Sequence, residues 1–157
     1  MSGPIFPWRT GNRFALLCDG ERFFPRMFDA IDSAERQIEL ELYLVESGSC
    51  AEALLDRLLA ARARGVKVRC LFDAFGSLKL SSAWTRQLLE AGGELRHYNP
   101  LSWKAGLRNL YRDHRKLLLV DERIAYVGGT GATDEFWSAR DNRSDWHEVM
   151  VEMTGHI

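Results

Sequence analysis

Two hydrophobic periods take turns along this chain, and their alternation narrows the fold more than any other feature. Ile38, Leu40 and Leu42 alternate with Glu39, Glu41 and Tyr43, the period-two signature of a strand with one polar face. Phe24, Met27, Phe28 and Ile31 recur at spacings of three and four, the signature of an amphipathic helix. Strands are predicted over 14–18, 38–43, 66–72 and 95–98. Helices are predicted over 23–34, with Pro25 in the first turn, over 49–64 and over 81–91. The second of these opens on a Ser49/Glu52 capping box and stops at Gly65. A loop over 99–111 then leads to strands at 116–120, 124–127 and 149–153, with a helical turn over 134–139. The order is β-α-β-α-β-α-β followed mostly by β. It implies an α/β sandwich, helices flanking a central sheet.

The chain has 157 residues, 46% hydrophobic and 27% charged, enough to build one domain with a packed core. We assign residues 1–12 to an N-terminal extension and 13–157 to the domain. Net charge is −1, so no global field draws the chain to nucleic acid or an anionic membrane, and polyanion binding must come from a local patch. The cysteines Cys18, Cys50 and Cys70 are odd in number and form no CxxC pair, which excludes a disulfide framework or a zinc ribbon. Cys18 and Cys70 lie in apolar runs and read as buried thiols. No stretch reaches the ~18–20 apolar residues of a membrane span.

Chemistry concentrates in one segment. His114 and Lys116 lie two residues apart, Asp121 follows after four more, and Gly128-Gly129 after a further six. On a strand, side chains two apart share a face, so a nucleophile or base projects beside a fixed cation. Leu117 to Val120 bury the rest of that strand, and the double glycine lets backbone approach a bulky anion closely. Lys104, Arg108, Arg112 and Arg115 cluster before and within the segment, interleaved with Leu101, Trp103, Leu107 and Leu110. The bases suit phosphate guidance. The apolar residues suit either entry into lipid or a place in the core. Glu39, Glu41 and Glu46 read as a polar strand face. No HExxH or Asp/His cluster is present, His97 and His156 stand in no motif, and His147 is a candidate only by proximity. No metal or cofactor is expected, since the lysine already supplies positive charge.

HRKLLLVDERIAYVGG resembles the HxK(x)4D(x)6GG/GS signature of the phospholipase D superfamily. The resemblance extends over most of the chain. LLCDGERFFPRMFDAIDSAERQIELELYLV, LLAARARGVKVRCLFD, Asp73 to Ser77, and the tail Arg143 to Gly155 are similar to the amino-terminal half of bacterial cardiolipin synthases. The resemblance implies a phospholipase D-like sandwich with a central mixed sheet. It implies that His114 attacks phosphorus to form a phosphohistidine, or protonates the leaving alcohol. Lys116 would bind the non-bridging oxygens, whose charge grows in the transition state. Asp121 would brace the site rather than react, and Asp145 would orient the histidine. Gly128, Gly129, Thr130, Arg112 and Arg115 would contact phosphate. The family often has asparagine two positions after the glycine pair, where this chain has Gly131. Thr130, Thr133 or backbone amides would then replace it.

The implied activity is phosphatidyl transfer in cardiolipin synthesis, with phosphatidylglycerol or a similar phospholipid as substrate. It would take place peripherally, on the cytoplasmic side of a bacterial inner membrane, and no nucleic acid partner is expected. A hydrolase or nuclease of the same superfamily, and a non-catalytic α/β interaction module, remain as alternatives. Double displacement needs a second acid/base group, and only one motif is present. The partner is therefore a second HxK-motif domain of a longer chain, the arrangement we favour, or a second copy in a homodimer.

Overall fold

A computed structural model describes residues 9–137 and 147–157. Strand β1 (Arg13–Cys18) leads to α1 (Gly20–Asp32), β2 (Gln37–Leu42), α2 (Ser49–Ala63), β3 (Lys67–Asp73), α3 (Ser82–Glu90) and β4 (Glu94–Tyr98). A 3-10 segment, Trp103–Leu110, precedes β5 (Leu117–Val120), β6 (Ile124–Gly128) and β7 (Val149–Thr154). The seven strands form one sheet in the order β1-β7-β6-β5-β2-β3-β4. β2, β3 and β4 run parallel, while β5 pairs antiparallel with β2, and β6, β7 and β1 continue antiparallel. The sheet is therefore mixed, as the family resemblance implied.

The period-two pattern decides which face is covered. Ile38, Leu40 and Leu42 of β2 point inward with Val68, Cys70 and Phe72 of β3 and Leu118 and Val120 of β5. Against them pack Phe23, Phe24, Met27, Phe28 and Ile31 of α1, Leu54, Leu55 and Leu58 of α2, and Trp84 and Leu88 of α3. These side chains make one core, so the three helices lie on one face of the sheet. On the other face Phe14, Leu16, Val127 and Val149 are exposed.

Several local expectations shift. Cys18 is exposed, because β1 is an edge strand and position 18 points to the open face; Cys50 and Cys70 are buried. Helix α1 begins at Gly20, so Pro25 sits inside it rather than in its first turn. The Ser49/Glu52 capping box does not form. Gly48 is the cap position of α2 and offers no side chain. Instead the Asp134 carboxylate accepts the amides of Ser49 (3.1 Å) and Cys50 (2.7 Å). A carboxylate 85 residues away thus satisfies the open helix N-terminus, where negative charge is favoured. Residues 134–136 form a turn, and the remainder of the helical turn expected at 134–139 includes positions outside the described residues.

Candidate active site

The topology brings one set of strand ends together. The C-terminal ends of β1, β2, β3, β4 and β6 and the N-terminal ends of β5 and β7 share one edge of the sheet. His114 and Lys116 lie there, in the extended segment just before β5 rather than inside it. They still converge as expected, because Tyr43, one residue past the end of β2, holds both. The His114 imidazole stacks on the Tyr43 ring with centroids 3.9 Å apart and planes 17° from parallel. The Lys116 ammonium lies 5.4 Å from the same ring centroid, within reach of a cation–π attraction. It also donates to the His114 carbonyl at 2.7 Å. His114 is exposed, and among the described residues no side chain hydrogen-bonds its ring nitrogens.

Beneath this pair lies a carboxylate network that sequence reasoning passed over. The Asp73 carboxylate, buried at the end of β3, accepts the amides of Asp113 (2.9 Å), Phe75 (2.9 Å) and Gly76 (3.1 Å). Burial pushes the Asp73 carboxyl up, but those three amides and the Arg112 charge together outweigh it and hold it below its ordinary value. Asp113 receives Arg115 Nε and Nη2, each at 3.0 Å. That bond, acting against burial, draws Asp113 down to about 2. Glu41 on β2 is pushed up to about 7, first by burial and then by its hydrogen bond to, and the charge of, Asp113, while Arg115 opposes the rise. The residue preceding the proposed nucleophile is thus clamped from both sides: its amide by Asp73 and its side chain by Arg115 and Glu41.

The other residues of the motif are placed differently from the sequence expectation. Asp121, expected there to brace the site, stands at the far end of β5, five positions and roughly 16 Å from Lys116 at strand rise. Its carboxylate accepts the amides of Glu35, Arg36 and Gln37, each at 2.8 Å, and so anchors the entry to β2. It braces the fold and touches no reacting atom.

Arg112 and Arg115 were expected to meet phosphate. Arg112 is 9% exposed and faces Asp73 at 3.4 Å. Arg115 is shared by Asp113 and Glu41, each at 3.0 Å. Both charges are compensated within the chain.

The glycine pair is likewise occupied. Gly128 donates its amide to Lys116 O and Gly129 to Val149 O. A Cβ at 128 would strike the β7 backbone, and one at 129 would strike the Glu148 carboxylate. The close approach permitted here is therefore to the chain's own strand and carboxylate. Thr130 is buried and donates its hydroxyl to Gly131 O at 3.0 Å. Thr133 is also buried.

Gly131 in place of the usual asparagine has a steric cause. A Cβ there would lie 2.5 Å from Leu44 O, because residues 131–132 run beside the end of β2 and Ala132 N donates to that carbonyl. Asp145 lies outside the described residues. Among the described residues, no group of three or more His, Cys, Asp or Glu side chains is arranged to hold a metal ion. No helix among them is long and apolar enough to cross a membrane.

Known proteins are similar to this chain in sequence and in fold. The profile described as cardiolipin synthase, PLD-like domain, matches residues 27–154. Cardiolipin synthase B of Salmonella typhimurium is 41% identical over 133 residues, which cover 83% of this chain and 32% of that protein. The cardiolipin synthase of Geobacillus thermodenitrificans is 32% identical over 151 residues, covering 95% and 30%. The chain spans about a third of the length of these curated relatives.

Among solved structures, Nuc of Salmonella typhimurium, a phospholipase D family member, superposes with a TM-score of 0.67 at 19% identity over 92% of this chain and 84% of that one. Phosphatidylserine synthase of Haemophilus influenzae gives 0.72 at 13% identity, over 91% and 33%. These two show a shared fold. Taken with the profile match across most of the domain, the chain belongs to the cardiolipin synthase, PLD-like domain family.

Proposed function

We propose that this chain supplies one half of a phosphatidyl-transfer site used in cardiolipin synthesis, with His114 as the group that acts at phosphorus. The observation that carries this reading is the pairing of an exposed imidazole, oriented by Tyr43, with the Lys116 ammonium on the same ring. In the first step an imidazole nitrogen of His114 forms a bond to phosphorus. The bond from phosphorus to the leaving alcohol oxygen breaks, and that oxygen takes a proton from an acid. In the second step an acceptor lipid hydroxyl attacks the phosphohistidine, loses its proton to the same group, and releases the imidazole. Lys116 balances charge on the non-bridging oxygens.

The acid is the histidine of a second HxK-bearing unit, either a further domain or a second copy of this chain. A general acid is worth roughly 100- to 10,000-fold, so the monomeric chain alone should turn over slowly. The relatives' greater length supports the further domain. The site works peripherally, on the cytoplasmic face of a bacterial inner membrane.

The test is incubation with radiolabelled phosphatidylglycerol, alongside sedimentation of the same sample. Formation of cardiolipin by an associated form, abolished by His114→Ala, is the expected result. Phosphatidic acid as the main product would favour a hydrolase, and DNA cleavage a nuclease. Full transferase activity in a strict monomer would overturn the half-site.

A further inference from the structure

We propose that the segment from Asn99 to Arg112 is an interfacial anchor that seats the active-site edge on a bilayer carrying anionic lipid. Its apolar side chains are not core. Trp103 is 104% exposed, Leu107 82% and Leu110 72%, with Leu101 and Tyr111 also exposed. A run of this kind left open to water is costly unless something covers it.

The charge on the segment says what does. Between Tyr98 and Asp113 there is no acidic residue, while Lys104, Arg108 and Arg112 are present. Arg112 is spent on Asp73. Lys104 and Arg108 enter no ion pair among the described residues. Aromatic and leucine side chains interleaved with uncompensated cations match a surface that is apolar below and anionic above. A second copy of this chain would instead bring the same cations against each other.

The backbone is prepared for such a medium. Asn99 Nδ2 donates to Arg108 O at 2.6 Å and to Tyr111 O at 2.8 Å. Asn109 donates to Ser102 O at 2.8 Å and accepts the Ser102 amide at 3.2 Å. Ser102 Oγ accepts the Lys104 amide at 3.3 Å. These side chains satisfy polar groups that lipid could not.

Position completes the case. The segment leaves the C-terminal end of β4 and returns to His114, so it stands at the sheet edge that holds the site. Exposed Phe75 and Leu78 lie at the same edge, after β3. Leu101 also borders a cleft of about 620 Å³ shared with Leu78, Leu80 and Leu89, which extends the apolar surface toward α3. The inference rests on the lipid reading above for its choice of phosphatidylglycerol, and its readout is binding rather than turnover.

The experiment is flotation of the 157-residue protein with vesicles of phosphatidylcholine alone or with 30 mol% (about one lipid in three) phosphatidylglycerol, at low and high salt. Four proteins are compared: wild type, Trp103→Ser/Leu107→Ser, Lys104→Gln/Arg108→Gln, and His114→Ala. Wild type should float with the anionic vesicles. The apolar double variant should bind roughly tenfold more weakly at either salt. The basic double variant should lose the preference for anionic lipid and its salt sensitivity. His114→Ala should bind like wild type.

All the altered anchor side chains are exposed, so circular dichroism should show folded protein throughout. Undiminished binding by the apolar double variant, or no wild-type binding to anionic vesicles, would overturn the anchor while leaving the transfer chemistry standing. A change in sedimentation of the apolar variant without a change in flotation would assign the patch to a protein contact and also overturn it. Trp103-dependent flotation of a protein whose associated form makes phosphatidic acid or cleaves DNA instead of forming cardiolipin would sustain the anchor and sink the transferase reading.

Discussion

His114 is held by Tyr43 through ring stacking at 3.9 Å, and Lys116 reaches the same ring from 5.4 Å. A residue at the end of one strand therefore sets the geometry of two residues ahead of its antiparallel neighbour. Such stacking is worth about 0.5–1.5 kcal/mol, equivalent to roughly a two- to tenfold change in rate if the imidazole must be fixed before attack. Tyr43→Ala should lower the transfer rate by that factor, whereas Tyr43→Phe, which keeps the ring, should remain close to wild type. Equal losses in both variants would point to the hydroxyl instead.

Asp121 should behave as a brace. It accepts three backbone amides at the entry to β2, and together these outweigh the upward push of burial on its carboxyl. Asp121→Ala should cost about 2 kcal/mol of stability, seen as a lower midpoint in urea unfolding. Activity per folded molecule should be retained, in contrast to His114→Ala. The Asp121 contribution is present above the ordinary carboxylate value and is lost as pH falls through the depressed folded value, so the stability gap between wild type and variant should close in acid.

Restoring the asparagine common in this family should harm the protein. At position 131 a Cβ would lie 2.5 Å from Leu44 O and 2.9 Å from Leu44 Cβ. Gly131→Asn forces the paired backbone segments apart and should cost about 1–3 kcal/mol. A thermal melt distinguishes this from the opposite outcome, a stable variant with improved phosphate affinity.

Glu41 and Asp113 should leave opposite marks on the pH dependence of stability. The folded Glu41 carboxyl rises from 4.5 to about 7, so its proton is bound more tightly in the folded chain. Its contribution is complete below about 4.5 and declines as pH rises through 7. Asp113 falls from 3.8 to about 2, so its contribution is complete above that ordinary value and declines as pH drops through 2. Melting curves from pH 5 to 8 should show a downward slope that Glu41→Gln flattens. An unchanged slope in that variant would remove Glu41 from the network.

Asp134 should matter to α2 despite its distance along the chain. Its carboxylate is the cap for the amides of Ser49 and Cys50. Asp134→Ala should lower stability by about 1 kcal/mol, while Ser49→Ala should leave it nearly unchanged, since the Ser49 side chain makes no cap. The reverse order in chemical denaturation would restore the local capping box.

The sequence by itself determined the strands and helices, the α/β class and the pairing of His114 with Lys116. These depend on short-range regularities: period two in Ile38 to Leu42, period 3.6 in Phe24 to Ile31, and the two-residue spacing of His114 and Lys116. Only the tertiary structure decided what each polar group is used for. Arg112 and Arg115 read as phosphate ligands along the chain, yet Asp73, Asp113 and Glu41 compensate them. The amides of Gly128 and Gly129 go to Lys116 O and Val149 O, Thr130 donates its hydroxyl to Gly131 O, and Asp121 anchors the entry to β2 from the far end of β5. Tyr43 looked like one more outward residue of a strand until the fold laid His114 against it. The physical reason is range. Hydrophobic periodicity is a property of neighbours in sequence, whereas a charge or an amide is satisfied by whichever partner folding brings within about 3 Å, and here those partners are often 40 or 85 residues away.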